Sequence, residues 1–427
     1  MGSAEVSRRE FVKSAAAAAA AAVVPGAAIA RGAWAGGTES IRIGVIGCGG
    51  RGTGAAINAL EADPATRIVA LGDLFADRVE SSRKHLAEAG EFGDRARVSP
   101  ERCFTGFDAY QRVLEAGVDA VILATPPHFR PAHFAAAVAA RKHVFMEKPV
   151  AVDAPGVRMV LEAANAAGAA GLCVVAGTQR RHEASYLAAM QRIREGALGR
   201  IVSARCYWNQ GGLWVHRRKP EYSDMEWQVR NWLYFCWLSG DHIVEQHVHN
   251  LDVVNWAIGS HPERCLGMGG RQVRTGEEYG NIFDHFTVEY VYPGGEHVMS
   301  MCRQIEGTSP RCEEVIHGAQ GTAVLRPGSA RITGAAEWRF AEKNNNPYVQ
   351  EHADLLAAIR SGRPVNEARQ VAESTLTAIM GRMSAYTGQE VTWEQALQSE
   401  WRLGPETYEF GDLPVDEAPV PGRTRLL

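Results

Sequence analysis

The chain has 427 residues, of which 46% are hydrophobic and 22% charged, and its formal net charge is -4. A chain of this length exceeds one ordinary hydrophobic core, so two domains are expected. The slightly acidic balance gives no electrostatic reason to expect nucleic acid or a membrane surface as a partner.

Residues 1–35 have the pattern of an export signal followed by a linker. Arg8 and Arg9 form a twin-arginine pair, an alanine-rich run follows, and Ala28 and Ala30 frame a small-residue cleavage site. The apolar run is too short to span a bilayer. We therefore expect export of the folded protein by the twin-arginine route to the periplasm or another extracytoplasmic space, with only transient membrane contact.

Residues 40–170 alternate short apolar strands with helices, which predicts a doubly wound parallel sheet of the Rossmann type. Expected strands are 41–46, 67–71, 120–124 and 144–146, and expected helices are 53–60, 76–89, 107–116, 132–140 and 154–167. Pro149 must end the last strand because proline cannot donate to a strand ladder. Glu147 and Lys148 therefore lie at the carboxyl edge of the sheet, where such sheets bind ligands.

A G-x-G-x-x-G sequence begins at Gly47, follows the first strand and opens the first helix. The glycines allow a tight turn and close approach to a pyrophosphate, while the helix N-terminus attracts the anion. Asp73 lies about 20 residues further on and can accept hydrogen bonds from both ribose hydroxyls. It favours NAD over NADP, although Arg51 and Arg78 leave NADP open. The predicted cofactor contacts are Gly47, Cys48, Gly49, Gly50, Arg51, Gly52, Asp73, Thr125, Pro126, His128, Glu147 and Lys148.

Residues 171–385 are predicted to form a second, α+β domain around a mostly antiparallel open sheet. Alternating residues at 286–292, a Pro-Gly-Gly turn and residues 298–302 predict a hairpin, and 201–208, 313–316 and 322–325 add strands. Late helices at 348–361 and 371–387 could pack back on the first domain, and residues 386–427 form an extension. Because an uncovered sheet face commonly dimerises, we expect a homo-oligomer.

These motifs resemble those of the glucose–fructose oxidoreductase, inositol dehydrogenase and rhizopine catabolism (Gfo/Idh/MocA) family. The resemblance covers the glycine fingerprint, ATPPHFR at 124–130, MEKP at 146–149 and the stretch 240–256. It implies an NAD(P)-dependent oxidoreductase of an exported branch. It also implies that Lys148 is catalytic and that Glu245 and His249 complete the site. The family usually has aspartate where this chain has Glu245.

Glu245 and His249 are four residues apart, so on one helix they would share a face and the carboxylate could orient the imidazole. The alternative is a surface or capping pair. His249 could take the hydroxyl proton as hydride leaves carbon, and Lys148 could stabilise the alkoxide or relay the proton. Which of the two is the base stays open. His247 is rotated away from His249 around a helix, so no metal site is expected.

Five of the ten tryptophans fall between residues 208 and 237. Aromatic faces stack on sugar C–H groups, so the cluster suggests a carbohydrate or cyclitol pocket, with core or interface packing as the other interpretation. The predicted substrate contacts are Gln179, Arg180, Trp208, Asn231 and Trp232.

Export adds a constraint, because no dinucleotide pool is expected outside the cytoplasm. We therefore expect the dinucleotide to be bound before export and not to exchange, so that the net reaction is redox-neutral or passes between two sugars. The leading expectation is an oxidoreductase acting on a sugar or cyclitol hydroxyl. One alternative is an NAD-dependent glycosidase that works by transient oxidation and elimination. Another is a non-catalytic sugar-binding protein with structural NAD.

Overall fold

A computed structural model describes residues 40–426, so the predicted export signal lies outside the described residues. The first domain contains a six-stranded parallel sheet with the order β3-β2-β1-β4-β5-β6, which confirms the predicted doubly wound fold. Its strands are β1 (Ile41–Ile46), β2 (Thr66–Asp73), β3 (Cys103–Thr105), β4 (Ala120–Leu123), β5 (His143–Met146) and β6 (Val174–Ala176).

Helices cover both faces of this sheet. They are α1 (Gly50–Ala62), α2 (Ala76–Glu88), α3 (Ala109–Glu115), α4 (Arg130–Ala139) and α5 (Ala154–Ala169). Alternate residues of β1 feed two separate apolar cores, since Ile43 and Val45 pack on one face and Ile46 on the other. Burial on both faces explains why the strands read as nearly continuous apolar runs.

The second domain is built on a nine-stranded sheet with the order β14-β13-β12-β11-β7-β10-β9-β8-β15. All neighbours are antiparallel except β7 and β10, which run parallel. Its strands are β7 (Ile201–Gln210), β8 (Arg264–Gly270), β9 (His285–Val291), β10 (His297–Gln304), β11 (Arg311–Gly318), β12 (Gly321–Arg326), β13 (Ser329–Gly334), β14 (Trp338–Arg339) and β15 (Val391–Thr392). The predicted hairpin is β9–β10. Strand β8 escaped prediction because its three glycines suppress the strand pattern.

One face of this sheet is covered by helices and the other is open. The helices that follow β6 are α6 (Ala184–Arg194), α7 (Asp224–Arg230), α8 (Cys236–Ser239), α9 (His242–Glu245), α10 (Val248–Ile258), α11 (Pro347–Ser361), α12 (Ala368–Thr387) and α13 (Trp393–Gln398). The open face carries exposed apolar side chains on β8 and β10, namely Leu266, Met268, Met299 and Met301.

The late helices return to the first domain. Leu355 and Leu356 of α11 enter the same apolar core as Ile43, and Thr375 of α12 accepts a hydrogen bond from the Val150 N–H at 3.3 Å. The loop between α11 and α12 also pairs with β6, where Val174 N–H donates to Val365 O at 2.8 Å. These contacts join the two sheets around the carboxyl edge of the first. Among the described helices, none is long and apolar enough to cross a membrane.

Candidate active site

The loop between β1 and α1 is shaped by its glycines. Gly47 has a φ of +98°, a conformation that favours glycine, and a Cβ on Gly52 would lie 1.8 Å from the Gly47 carbonyl oxygen. At Gly49 and Gly50 a Cβ would meet no atom within 4 Å, so these residues leave open space at the start of α1. The first-turn N–H groups of α1 can therefore be approached closely by an anion.

Asp73 ends β2 and ties the glycine loop to the next turn. Its Oδ2 accepts the Cys48 N–H at 2.6 Å and its Oδ1 accepts the Phe75 N–H at 3.0 Å. Burial raises the pKa of Asp73, and these two hydrogen bonds oppose that rise. The carboxylate lines the cleft next to the loop, where its remaining lone pairs can accept ribose hydroxyls.

The loop and Asp73 form one wall of a cavity of about 530 Å³, a volume usual for a small-molecule or cofactor site. Eight of the predicted cofactor contacts line it, namely Gly47, Gly49, Gly50, Arg51, Gly52, Asp73, Thr125 and Pro126. Sequence reasoning missed other lining residues, including His133, whose Nδ1 lies 3.3 Å from the Thr125 Oγ1. Burial lowers the pKa of His133 to about 3, so this imidazole is neutral. The glycine loop, the acid and the helix N-terminus fit a dinucleotide.

Three predicted cofactor residues have different surroundings from those expected. Cys48 is buried and does not line the cleft, and its N–H is donated to Asp73. The His128 Nε2 lies 2.7 Å from the Tyr408 hydroxyl, and the ring packs edge-on against Trp237. Glu147 accepts a hydrogen bond from Arg51, not from Lys148.

The same Arg51 side chain donates to the buried Glu351 of α11 at 2.9 Å. Its charge is therefore shared between two carboxylates, Glu147 at the end of β5 and Glu351 in the later helix. This arrangement links the glycine loop to α11 and engages Glu147 with Arg51.

A second wall of the cleft comes from residues 211–234, which cross from the second domain over the first. The residues of this segment that face the cavity are Trp214, His216, Val229, Arg230 and Trp232. Arg230 anchors the segment, because its guanidinium lies 3.8 Å from the Phe75 ring centroid and makes two hydrogen bonds to Asp77, at 3.0 and 3.1 Å. Phe75 and Asp77 follow Asp73 closely, so this wall covers the ribose end of the cleft.

The C-terminal extension supports that wall. The Met225 N–H of α7 donates to Gly411 O at 3.2 Å, and the Gln228 side chain donates to Leu413 O at 2.6 Å. Phe410 stacks on Phe75 with ring centroids 6.1 Å apart. We call residues 211–234 together with 403–413 the cover.

The surroundings of Lys148 are organised by a break between α9 and α10. His249 N–H donates to Gln246 O at 3.4 Å rather than continuing the helix to Glu245. The Glu245 carbonyl is thereby left to Lys148, whose Nζ lies 2.5 Å from that oxygen and 3.1 Å from the Glu245 carboxylate. The expected helical pairing of Glu245 with His249 is wrong, because the helix is interrupted and the carboxylate holds Lys148 instead.

Asp241 fixes the start of this segment. It has a φ of 69°, and its buried carboxylate accepts the His242 N–H at 2.5 Å, the Phe283 N–H at 2.7 Å and the Tyr386 hydroxyl at 2.6 Å. Three donors from three parts of the second domain hold the segment that carries Glu245. The positions of Glu245 and Lys148 are therefore set by the buried core of the domain.

His249 lies in the first turn of α10 and is buried against Trp208, with ring centroids 5.7 Å apart and an angle of 24° between the planes. Burial lowers the pKa of His249 well below its ordinary value, and the positive charges of Lys148 and Arg180 lower it further. The imidazole is therefore neutral at neutral pH and can accept a proton. Among residues 40–426, no three His, Cys, Asp or Glu side chains are grouped so as to hold a metal ion.

The five predicted substrate residues do not share one pocket. Trp208 faces His249, Gln179 donates to the Tyr348 hydroxyl at 3.4 Å, and Arg180 is buried in an ion pair. Asn231 is buried and bonds backbone groups of His216 and Glu278, at 2.9 and 2.8 Å, while Trp232 faces the cofactor cleft. The tryptophan cluster divides because residues 211–234 cross the first domain, which spacing along the chain does not reveal.

Comparisons with known proteins agree with this geometry. A model described as an oxidoreductase family with an NAD-binding Rossmann fold matches residues 41–177, and the Gfo/Idh/MocA C-terminal domain matches residues 186–324. A model of the twin-arginine translocation signal matches residues 5–25, which confirms the predicted export signal.

Individual relatives match different fractions of this chain. The inositol 2-dehydrogenase 3 of Saccharopolyspora erythraea is 32% identical over 344 residues, covering 76% of this chain and 88% of that protein. The inositol 2-dehydrogenase of Acidothermus cellulolyticus is 29% identical over 234 residues, and the match spans 55% of this chain and 58% of that relative. A crystal structure of an aldose-aldose oxidoreductase from Caulobacter crescentus, complexed with glycerol, shares the fold. Its TM-score is 0.64 at 18% identity, over 83% of this chain and 100% of that chain.

Both halves of the described chain thus match the two domains of one family, and a relative above 30% identity is matched over most of its length. The glycine loop with Asp73 and the edge lysine of β5 lie where the sequence motifs predicted them. The chain belongs to the Gfo/Idh/MocA family of oxidoreductases, whose first domain is an NAD-binding Rossmann fold.

Proposed function

We propose that this protein is an oxidoreductase that transfers hydride between a hydroxyl-bearing carbon of a sugar or cyclitol and a tightly held NAD. The observation that carries the proposal is the meeting of Lys148, from the edge of the first sheet, with the segment of the second domain that bears Glu245 and His249. Lys148 lies near enough to the buried His249 for its positive charge to lower the pKa of that imidazole, which supports a shared site. The names of the inositol 2-dehydrogenases support the substrate class.

Bound nicotinamide would supply the hydride acceptor at the end of the cleft bordered by Thr125 and Pro126. The chain must then remove the hydroxyl proton and stabilise the oxygen from which it leaves. His249 is neutral and can accept the proton at a ring nitrogen, while the Lys148 ammonium can donate a hydrogen bond to the developing alkoxide. Glu245 holds Lys148 through both its carbonyl and its carboxylate, which restricts the amine to one direction. In the return reaction the same groups give the proton back.

We infer NAD in preference to NADP as the cofactor. Asp73 is the acidic residue at the ribose end of the glycine loop, and its carboxylate would repel a 2′-phosphate. Arg51 is engaged by Glu147 and Glu351, so its charge is largely neutralised. Arg78 lines the same end of the cleft, and its positive charge could attract a 2′-phosphate and so favour NADP.

We also infer that the cofactor is held through successive turnovers in the periplasm or an equivalent extracytoplasmic space. The export signal supports this location, and the cover supports retention because it crosses the ribose end of the cleft. A captive cofactor must be reduced by one substrate and reoxidised by another. The first experiment is therefore to denature the purified protein and identify any dinucleotide released. A protein that carries none, and binds added NAD only weakly, would contradict the proposal.

A panel of sugars, cyclitols and glycosides then tests the reaction, with the absorbance of the bound nicotinamide as the signal. Reduction of the bound cofactor by one sugar and reoxidation by a second supports the oxidoreductase. Release of free sugar from a glycoside, without net change at the nicotinamide, indicates cleavage by transient oxidation instead. Unchanged activity in Lys148→Met would leave only a binding role for the Lys148–His249 pocket.

The open face of the second sheet supports the expectation of a homo-oligomer. Met268, at 73% exposure, lies on the same face as Leu266, Met299 and Met301, with Thr287 and Glu289 of β9 between the two pairs. Exposed apolar side chains on an open sheet face favour association. Light scattering of the purified protein tests this expectation, and a monomer at micromolar concentration would contradict it.

A further inference from the structure

An ion pair is buried beside His249 and takes no direct part in the proposed chemistry. Arg180, in the turn that follows β6, pairs with Glu314 of β11, and the two residues are 2% and 0% exposed. Tyr186 donates to one Glu314 oxygen at 3.0 Å and Asn250 donates to the other at 2.6 Å. Such burial rules out contact of Arg180 with a substrate in this conformation.

The Arg180–Glu314 pair contacts two residues next to His249, namely Asn250, which follows it in the chain, and Trp208, which stacks on its ring. Asn250 follows His249 in α10 and also donates to the Tyr207 carbonyl at 3.1 Å, which fixes the first turn of the helix against β7. The Arg180 guanidinium carbon lies 5.3 Å from the Trp208 ring centroid, and this is the ring that stacks on His249. The ion pair thus supports the imidazole through the backbone on one side and through an aromatic ring on the other.

A buried ion pair is weak evidence for stability, because well-packed apolar residues often serve as well or better. An electrostatic effect of Arg180 on His249 explains the buried pair better than a contribution to stability does. Burial itself and the charges of Lys148, Arg180 and Arg51 all disfavour the protonated form of His249, and Lys148 is partly neutralised by Glu245.

The other ionisable neighbours on the packed elements add little net charge. His247 is buried and its pKa is lowered to about 3, so it is neutral, and Asp252 in the next turn is paired with Arg181. Burial raises the pKa of Glu314, while Arg180 and the two hydrogen-bond donors oppose that rise.

We propose that Arg180, held by Glu314, is a positioning residue that keeps His249 unprotonated and in place for proton transfer. The proposal rests on the function proposed above, in which His249 handles the hydroxyl proton. It predicts that loss of the Arg180 charge and loss of the Glu314 charge shift the pKa of His249 in opposite directions. A purely structural role of the ion pair does not predict opposite shifts.

The test is an NMR titration of isotope-labelled histidine in the full-length protein with its bound dinucleotide. Arg180→Met should raise the pKa of His249 by about one unit or more, because a nearby positive charge is removed. Glu314→Gln should lower it, because the charge of Arg180 is no longer balanced. Arg180→Lys should return the pKa towards that of the wild type, since it restores the charge.

Arg181→Met is the matched control. It removes a neighbouring, half-buried arginine that is paired with Asp252 at 2.8 Å. Neither Arg181 nor Asp252 is among the main charges that act on His249, so the pKa of His249 should stay unchanged. Equal or same-direction shifts in Arg180→Met and Glu314→Gln would overturn the proposal. If Arg180→Met does not fold, the sign of the shift in Glu314→Gln and the behaviour of Arg180→Lys decide the matter. Failure of the proposed function itself appears separately, as full turnover in His249→Asn.

Discussion

Replacing Tyr408 by alanine tests whether the cover retains the cofactor. Tyr408 is only 6% exposed, its hydroxyl lies 2.7 Å from the His128 Nε2, and its ring packs on Phe107 and Phe129 with centroids 5.9 and 5.7 Å away. Loss of the buried ring should cost about 2–3 kcal/mol, and loss of the hydrogen bond about 1 kcal/mol. Undocking of residues 403–413 from the first domain should then cost about 3–4 kcal/mol less free energy.

If undocking of residues 403–413 controls dinucleotide release, this lower free-energy cost corresponds to a release rate roughly 10²- to 10³-fold faster, since about 1.4 kcal/mol is a factor of ten. Release can be followed by chasing the bound dinucleotide with an excess of a labelled one. Tyr408→Phe keeps the ring and loses only the hydroxyl, so it should accelerate release by roughly fivefold, as expected for about 1 kcal/mol. Unchanged release from a Tyr408→Ala protein that melts cooperatively would refute the reasoning.

Three further predictions concern the site and the fold. Lys148→Met should lower turnover at least about 10²-fold in single-turnover assays with bound NAD, and a wild-type rate would remove Lys148 from the mechanism. Asp73→Ser should weaken NAD binding about tenfold and narrow the preference over NADP, as measured by titrating protein stripped of cofactor; an unchanged preference would speak against Asp73 as the selector. Burial lowers the pKa of His182, but hydrogen bonds to Asp354 and Glu367 outweigh it and raise the pKa to about 10. The stabilisation is therefore full below the unfolded value near 6.5 and is lost as pH rises towards 10, so His182→Gln should cost more unfolding free energy at pH 6 than at pH 10. Equal costs in denaturant titrations at both pH values would disprove this assignment.

The cofactor half of the site could be predicted because its determinants are local. Gly47 to Gly52 follow a strand of β-branched residues, and Asp73 stands at the end of the next strand, so periodicity and spacing fix their relation. Pro149 must end β5, so this single residue is enough to predict Lys148 at the sheet edge. These features depend on a few consecutive residues, which the sequence displays directly.

The rest depends on contacts that no local pattern records. Tyr408 meets His128 across 280 residues of chain, so the role of the extension could not be seen from its composition. A break at Gln246 interrupts the helical spacing of Glu245 and His249, in a segment that tertiary hydrogen bonds anchor at Asp241. Tertiary context of this kind routinely overrides local preference.

The cover also has a temporal consequence. Residues 403–413 emerge from the ribosome after both walls of the cleft have been made, and they dock on Asp153 and His128 of the first domain. Under the proposed retention of the cofactor, NAD would bind in the open cleft before residues 403–413 are synthesised and dock over it. Under the proposed export of the folded protein with NAD in place, completion of the chain and closure of the cofactor site would be one step, and residues 403–413 would complete it.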